Sequence, residues 1–322
     1  MAIWKIDELG EFVTLKRGYD LPQQKRKNGE IPIFSSSGVT GTHNEAMVEA
    51  PGVITGRYGT IGEVFFAKTS FWPLNTTLYV ENFHENDEKF VYYFLKTLEW
   101  KKFASASAVP GINRNTVHKE IVRFPDFETQ QKIASVLSTI DKKIAVNKAI
   151  NDNLEQQAAA LFSSLYNRSN TEVRYTDLIQ ILGGGTPKTG ETAYWNGNIA
   201  FFTPKDVGTP YTFITEKTIT EEGLSHCNSR LYPVNTVFVT ARGTVGKVGL
   251  SGIPMAMNQS CYALVGKETH QLLVYFYTLK AVDRLKHKAS GAVFDAITTR
   301  DFDSEQIMKL SDDDAKAFLC VA

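Results

Sequence analysis

The chain has 322 residues, more than one ordinary domain needs and enough for two, and its 43% hydrophobic and 22% charged residues let each half bury a core. No apolar run reaches the roughly 18 residues of a membrane-crossing helix, so no transmembrane helix is expected. Lys and Arg (35) balance Asp and Glu (35), so the basic excess typical of nucleic-acid binders is absent and any DNA contact must rest on local clustering of charge.

In chain order, the stretch from Met1 to Gly10 is charged and mixed, and no secretory signal is expected. Lys16-Arg17-Gly18 and Lys25-Arg26-Lys27-Asn28 are dense basic segments. Ile31-Pro32-Ile33-Phe34-Ser35 reads as a short β run, and Ser35-Ser36-Ser37-Gly38 places hydroxyls on a turn. The apolar Gly52-Val53-Ile54 leads into the glycine-rich segment Thr55 to Val64. Thr77 to Val80 predicts a strand and Glu88 to Phe103 a helix, with Asn113-Arg114-Asn115 beyond it.

Pro125, Asp126 and Glu128 are helix-start signals. From Glu128 to Tyr166 no proline or glycine intervenes. Ile133, Leu137, Ile140, Ile144, Asn147, Asn151, Leu154, Ala158, Leu161 and Leu165 alternate by four and three, the spacing of a stripe facing a partner helix. About 39 residues make a rod of roughly 58 Å, predicted to hold its flanking regions apart. Asn147 and Asn151 interrupt the seam, either fixing register or marking a solvated stretch.

Beyond the helix the first region recurs at a period of about 183 to 186 residues. Ile199-Ala200-Phe201-Phe202-Thr203 parallels Ile31 to Ser35, and Val237-Phe238-Val239 parallels Gly52-Val53-Ile54. Thr240-Ala241-Arg242-Gly243-Thr244-Val245-Gly246-Lys247-Val248 matches Thr55 to Val64 if Tyr58 is an insertion, which pairs Arg57 with Arg242. Leu74-Asn75 and Leu78-Tyr79 match Met257-Asn258 and Cys261-Tyr262. Val91 to Phe94 matches Val274 to Tyr277, on a second predicted helix from Gln271 to Lys288, and Ser107 and Ile112 match Ser290 and Ile297. Tyr92, Tyr93, Phe94, Tyr275, Phe276 and Tyr277 read as core rather than base-stacking groups. The twin of the long helix should begin after Leu310, with Asp312 to Asp314 and Phe318-Leu319 as its first turns, and most of it is missing because the sequence stops at Ala322.

No catalytic or metal motif is found. The Asn/Asp-Pro-Pro-aromatic signature of amino-methyltransferases is absent, and Gly183-Gly184-Gly185-Thr186-Pro187-Lys188 fails the phosphate-loop pattern because Pro187 stands where glycine is required. The histidines do not cluster at ligand spacings. Cys227, Cys261 and Cys320 are dispersed and odd in number, which predicts reduced thiols in a cytoplasm, and the glycosylation-like Asn75-Thr76-Thr77 and Asn167-Arg168-Ser169 read as chance.

Over nearly its whole length the chain resembles the DNA-specificity subunits of Type I restriction-modification systems. The match rests on Pro125, Glu128, Gln131, Lys132, Ile133, Leu137, Ile140, Asp141 and Ile144, which fit the opening of that family's conserved helix, and on the hairpin motif at Arg57 to Gly62 and Arg242 to Gly246. The resemblance implies an α+β chain with two similar target-recognition domains, 1–124 and 171–310, joined by a long coiled-coil-type helix over 125–170, with 311–322 opening a truncated second helix. It implies a non-catalytic subunit without cofactor or metal, reading a bipartite site on double-stranded DNA. Methyltransferase and restriction subunits would be its partners, with no membrane. A homodimer through Ile133, Leu137, Ile140, Ile144, Asn147, Asn151, Leu154, Leu161 and Leu165 would cover the seam.

Candidate DNA contacts are basic, amide and hydroxyl side chains on glycine-rich or small-residue loops. In the first repeat these are Lys16, Arg17, Lys25, Arg26, Lys27, Ser35, Ser36, Arg57, Asn113 and Arg114; in the second, Lys188, Lys205, Arg242, Thr298 and Arg300. Arg57 and Arg242, read as common to both repeats, are assigned first to holding the hairpin, then to phosphate contact, then to base reading. A helix-mediated scaffold of the same family that has lost DNA binding is the alternative; salt-dependent DNA binding separates the two.

Overall fold

A computed structural model describes residues 3–105, 110–208, 210–288 and 296–321. The chain forms two compact units, Met1–Ala149 and Ile150–Ala322.

The first unit contains β1 (Trp4–Glu8), α1 (Leu9–Phe12), β2 (Thr14–Arg17), β3 (Ile31–Ser35), β4 (Gly38–His43), β5 (Gly52–Gly56), β6 (Val64–Ala67), β7 (Trp72–Pro73), β8 (Thr77–Asn82), α2 (Glu88–Lys96), α3 (Arg114–His118), β9 (Ile121–Pro125) and the start of α4 (Phe127–Arg168). An antiparallel sheet runs β2-β8-β5-β6. A second sheet, β4-β3-β7, pairs β3 with β7 in parallel, and β1 pairs with β9. β5 is buried at every position, as befits an interior strand of glycine and β-branched residues. α2 starts where the Asp87 carboxylate accepts from Phe90 N–H at 2.8 Å. It ends at Lys96, short of the expected Phe103, because the Trp100 indole donates to the Leu95 carbonyl at 2.8 Å and a 3-10 turn, Trp100–Phe103, follows. Phe12, Phe90, Val91, Leu95, Trp100 and Val117 join one core.

The second unit repeats this order. It contains β10 (Thr171–Arg174), α5 (Tyr175–Leu178), β11 (Ile179–Gly183), β12 (Trp195–Phe202), β13 (Tyr211–Thr212), β14 (Lys217–Ile219), α6 (Glu221–Ser225), β15 (Val237–Thr240), β16 (Val248–Ser251), β17 (Met255–Met257), β18 (Cys261–Gly266), α7 (Gln271–Lys288), α8 (Thr299–Asp303), β19 (Gln306–Lys309) and α9 (Asp312–Leu319). Its sheets run β11-β18-β15-β16-β13 and β14-β12-β17, with β10 paired to β19. The parallel pair recurs: Phe34 opposite Pro73 in the first unit, Phe202 opposite Met257 in the second. Tyr275, Phe276 and Tyr277 are buried, in keeping with the core reading of the sequence, whereas Tyr92, Tyr93 and Phe94 are half-buried.

Backbone hydrogen bonds fix the register of the repeat and correct the alignment made from identities. Arg57 and Tyr58 both donate to the Thr76 carbonyl, at 2.9 and 3.3 Å; Ala241 and Arg242 both donate to the Ser260 carbonyl, at 2.8 and 3.3 Å. Gly59 and Gly243 take φ of 74° and 82°, Gly62 and Gly246 φ of 89° and 74°. Thr55–Val64 therefore superposes on Val239–Val248 without a gap. Tyr58 is not an insertion: it stands where the second unit has Arg242, and Arg57 stands where it has Ala241. Similarly, Leu74 N–H donates to Phe34 and Asn258 N–H to Phe202, which makes Leu74, not Asn75, the counterpart of Asn258. Ile54 faces Tyr79 and Phe238 faces Ala263, so Tyr79 and Tyr262 are not equivalent either. Such one-residue slips matter because each transfers a side chain to the other face of its strand. Ser107 and Ser290 lie outside the described residues.

α4 is one unbroken helix of 42 residues, about 63 Å long. The Asp126 carboxylate accepts from Thr129 N–H at 3.0 Å and from Ile3 N–H at 2.7 Å, and these bonds hold it below the usual carboxylate range. Buried Gln130 ties its first turn to the first unit, donating to Asn86 Oδ1 and the Pro125 carbonyl and accepting from Asp87 N–H. The predicted stripe divides by environment. Ile133 packs on the first core, while Leu161 and Leu165 belong to the second. Between them Ile140, Ile144 and Leu154 are 49%, 62% and 58% exposed, and Asn147 and Asn151 are exposed as well. α9 lies antiparallel to the last turns of α4, with Phe318 against Phe162 and Arg168 paired with Asp314.

Candidate nucleic-acid interface

In the first unit a cleft of about 570 Å³ is lined by Lys16, Arg17, Arg57, Tyr58, Asn113 and Arg114 among others. Lys16 and Arg17 come from the end of β2. The Lys16 ammonium is paired with Glu81 at 2.5 Å, a hydrogen bond that raises its pKa, whereas exposed Arg17 is only loosely associated with Asp20 at 3.9 Å. Arg57 Nε donates to the Ile112 carbonyl at 3.1 Å, and its guanidinium lies 4.6 Å above the Tyr58 ring. The Ile112 N–H returns a bond to the Arg57 carbonyl at 3.1 Å. This exchange carries the next residue, Asn113, to the cleft, where its side chain caps α3 by accepting from Asn115 N–H and leaves Arg114 exposed on the first turn. α3 is in turn held to β2, because His118 Nε2 accepts from Leu15 N–H at 2.9 Å. Burial, then the charges of Arg114 and His84, lower the His118 pKa from 6.5 and keep the ring neutral, as an acceptor must be.

The same hairpin organises the second unit. Ile297 N–H donates to the Ala241 carbonyl at 2.9 Å and Arg242 bridges to Ala296, which brings Thr298 and Arg300 beside the turn. Thr298 caps α8 in a reciprocal box with Asp301. From the other side Thr244 Oγ1 donates to the Pro204 carbonyl at 3.3 Å, so the loop of Lys205 abuts the turn. Asp206 shapes that loop by accepting from Thr203 and from Glu216 N–H. Lys205 faces Glu216 at 3.6 Å with both side chains largely in solvent, a pairing of little strength. Arg242 and Arg300 are exposed and have no side-chain hydrogen bond or ion pair among the described residues.

Three loops thus converge in each unit. Ser36 sits against the positions of Gly56 and Gly59, as Pro204 sits against Gly243. Ser35 instead bonds within its own turn, to Ser37 and the Gly38 carbonyl. The cluster Lys25, Arg26 and Lys27 does not line the cleft; it lies along β4, with Arg26 Nη1 3.4 Å from the Thr40 carbonyl and Lys27 N–H donating to His43. Lys188 is exposed, and its carbonyl accepts from the Trp195 indole at 3.1 Å. Tyr58 lines the cleft although the sequence reading sets it aside as an insertion; its signal is an aromatic between Arg and Gly on a hairpin turn.

Among the described residues no group of three or more His, Cys, Asp or Glu is placed to hold a metal, and no helix is long and apolar enough to cross a membrane. Burial pushes the Cys261 thiol up to about 12, far from a reactive thiolate. What both edges offer is cationic and neutral donors on glycine turns, suited to phosphates and base edges.

The family model described as the Type I restriction modification DNA specificity domain matches residues 1–156 and 167–309. The MjaIX Type I specificity subunit of Methanocaldococcus jannaschii is 32% identical over 124 residues, 37% of this chain and 29% of that protein. The EcoR124I/EcoR124II specificity subunit of Escherichia coli is 29% identical over 204 residues, 59% of this chain and 50% of that protein. The chain thus spans half or less of the length of these relatives. The crystal structure of the Type I S subunit from M. genitalium superposes with a TM-score of 0.65 at 16% identity, covering 99% of this chain and 89% of that one, a likeness of fold.

Proposed function

Because the chain belongs to the Type I restriction modification DNA specificity domain family, we propose that it is the non-catalytic reader of a bipartite site on double-stranded DNA, with one block assigned to each unit. The observation that carries this reading is the recurrence, in both units, of one hairpin edge on which basic, amide and hydroxyl side chains gather: Arg57 with Asn113 and Arg114, Arg242 with Thr298 and Arg300. Methyltransferase and restriction subunits supply the catalysis in this reading, and the complex works in the cytoplasm. In this reading 1–124 and 171–310 are the two reading domains, 125–170 the helix that joins them and 311–322 the opening of a second helix.

The exposed middle of α4 supports helix-mediated association. Ile140, Ile144, Ile150 and Leu154 are all at least half in solvent or nearly so, and burying what each still exposes adds about 1 kcal/mol. A two-fold dimer through this stretch places Asn147 and Asn151 across the axis.

Selection of bound duplexes from a randomised pool, using the full chain with its methyltransferase subunits, tests the reading. Two short enriched blocks separated by unread bases are expected, with binding that weakens steeply with salt. A contiguous site overturns the division of labour; salt-independent behaviour without enrichment overturns DNA reading and returns the chain to a scaffold.

A further inference from the structure

The corrected register singles out one position. In both units the hairpin backbone is held alike, by paired donation to the Thr76 or Ser260 carbonyl and by a return bond from Ile112 or Ile297. The two side chains carried by that backbone have different tasks. At the first position Arg57 reaches back to the Ile112 carbonyl and its counterpart Ala241 is buried, so this position serves the scaffold. At the second position the residue is Tyr58 in one unit and Arg242 in the other, each bridged to the strand segment before α3 or α8, at Gly111 or Ala296. A scaffold that accepts tyrosine in one copy and arginine in the other does not itself require either.

At the matching edge of the first unit the cations are engaged, Lys16 with Glu81 and Arg57 with a carbonyl; in the second unit Lys205 only loosely faces Glu216, and Arg300 stands on α8 rather than on the hairpin. Arg242 is exposed, sits on a turn shaped by Gly243 and Gly246 at positive φ, and has no side-chain hydrogen bond or ion pair among the described residues. Its planar fork matches the O6 and N7 acceptors that guanine shows in the major groove; a tyrosine hydroxyl cannot make that two-point contact.

We propose that Arg242 reads a guanine in the block assigned to the second unit, and that Tyr58, at the equivalent position, makes the first unit read a different base pair there. The inference rests on the DNA-reading function proposed above and adds the residue and the base.

The test is selection from randomised duplexes by the full chain with its methyltransferase subunits, comparing wild type with Arg242→Ala and Arg242→Gln. The exposed site lets both variants fold. The expected result is that one G·C position, in one block alone, loses about 5- to 150-fold of its preference, while every position of the other block keeps its own. A motif unchanged in both variants overturns the proposal. So does an equal weakening for all sequences with a shallower salt dependence, which marks a phosphate contact. If wild type itself enriches no motif, the DNA-reading function fails and this assignment falls with it; enrichment by wild type without a local change in the variants defeats the assignment alone.

Discussion

Phe162 and Phe318 meet edge to face, their ring centroids 5.6 Å apart at 70°, and this contact joins the late turns of the long helix α4 to the short helix α9. Phe162 also stacks on Phe276 at 5.2 Å and is 1% exposed. Phe162→Ala should therefore cost the second unit about 3–5 kcal/mol, as for other buried aromatic truncations. Hydrogen exchange resolved along the chain in increasing urea is the measurement. Amides of α7 and β18 should open at lower urea while those of β5 and β8 hold; equal loss in both sets would show that the helix end is not local to the second core.

At the other end of α4, Gln130 is 2% exposed and serves both as donor and as acceptor. Gln130→Leu fills the space but strands the Asp87 N–H and the Pro125 carbonyl. A loss of about 2–3 kcal/mol in the first unit is expected, from the price of unsatisfied buried groups. The same exchange experiment reads it, now with β8 and α2 as the sensitive elements.

His118 gives the first unit a pH dependence. Its folded pKa is lowered, so the unfolded chain takes up a proton first as pH falls. The stability tied to its neutral ring is full above 6.5 and is lost as pH drops through the lowered folded value. Protonation also ends acceptance from Leu15 N–H. His118→Gln should flatten the acid side of the first unit's stability profile below pH 6.5. An unchanged profile would mean that other groups dominate there.

The exposed stretch of α4 predicts the behaviour of two charges. Ile140→Asp with Leu154→Asp should leave both cores intact, since neither residue belongs to them, yet weaken self-association in sedimentation at micromolar concentration. A wild-type chain that sediments as a monomer there would remove the dimer.

Replacing Lys25, Arg26 and Lys27 together with Ala should weaken binding of all duplexes about equally and flatten the slope of log affinity against log salt by about 1 to 3. Their place along β4, outside the cleft, favours backbone over base contact. A change of preferred sequence in the triple variant would contradict this.

The sequence made the architecture readable where local chemistry repeats: uninterrupted helix formers across α4, glycines with positive φ at 59, 62, 243 and 246, and paired apolar runs. Identical letters, Arg57 with Arg242 and Tyr79 with Tyr262, suggest a register one residue off, because the hydrogen-bond frame that sets it acts between strands distant in sequence. Heptad spacing makes the seam look continuous and does not reveal that Ile133 and Leu165 are claimed by separate cores. Nor does spacing show that Asn113 stands beside Arg57, or that Glu81 claims Lys16.

One clasp recurs in a form that bears on how such chains change over time. In the first unit the Asn75 amide donates to the Asp20 carboxylate; at the equivalent positions of the second, the Thr186 hydroxyl donates to the Gln259 side-chain carbonyl. The donor and acceptor have traded loops: the segment after β2 accepts, whereas the segment after β11 donates. The bond needs one donor and one acceptor but fixes neither to a side, so in a collection of related sequences these two positions should change as a couple, and the pairing should persist where the letters do not.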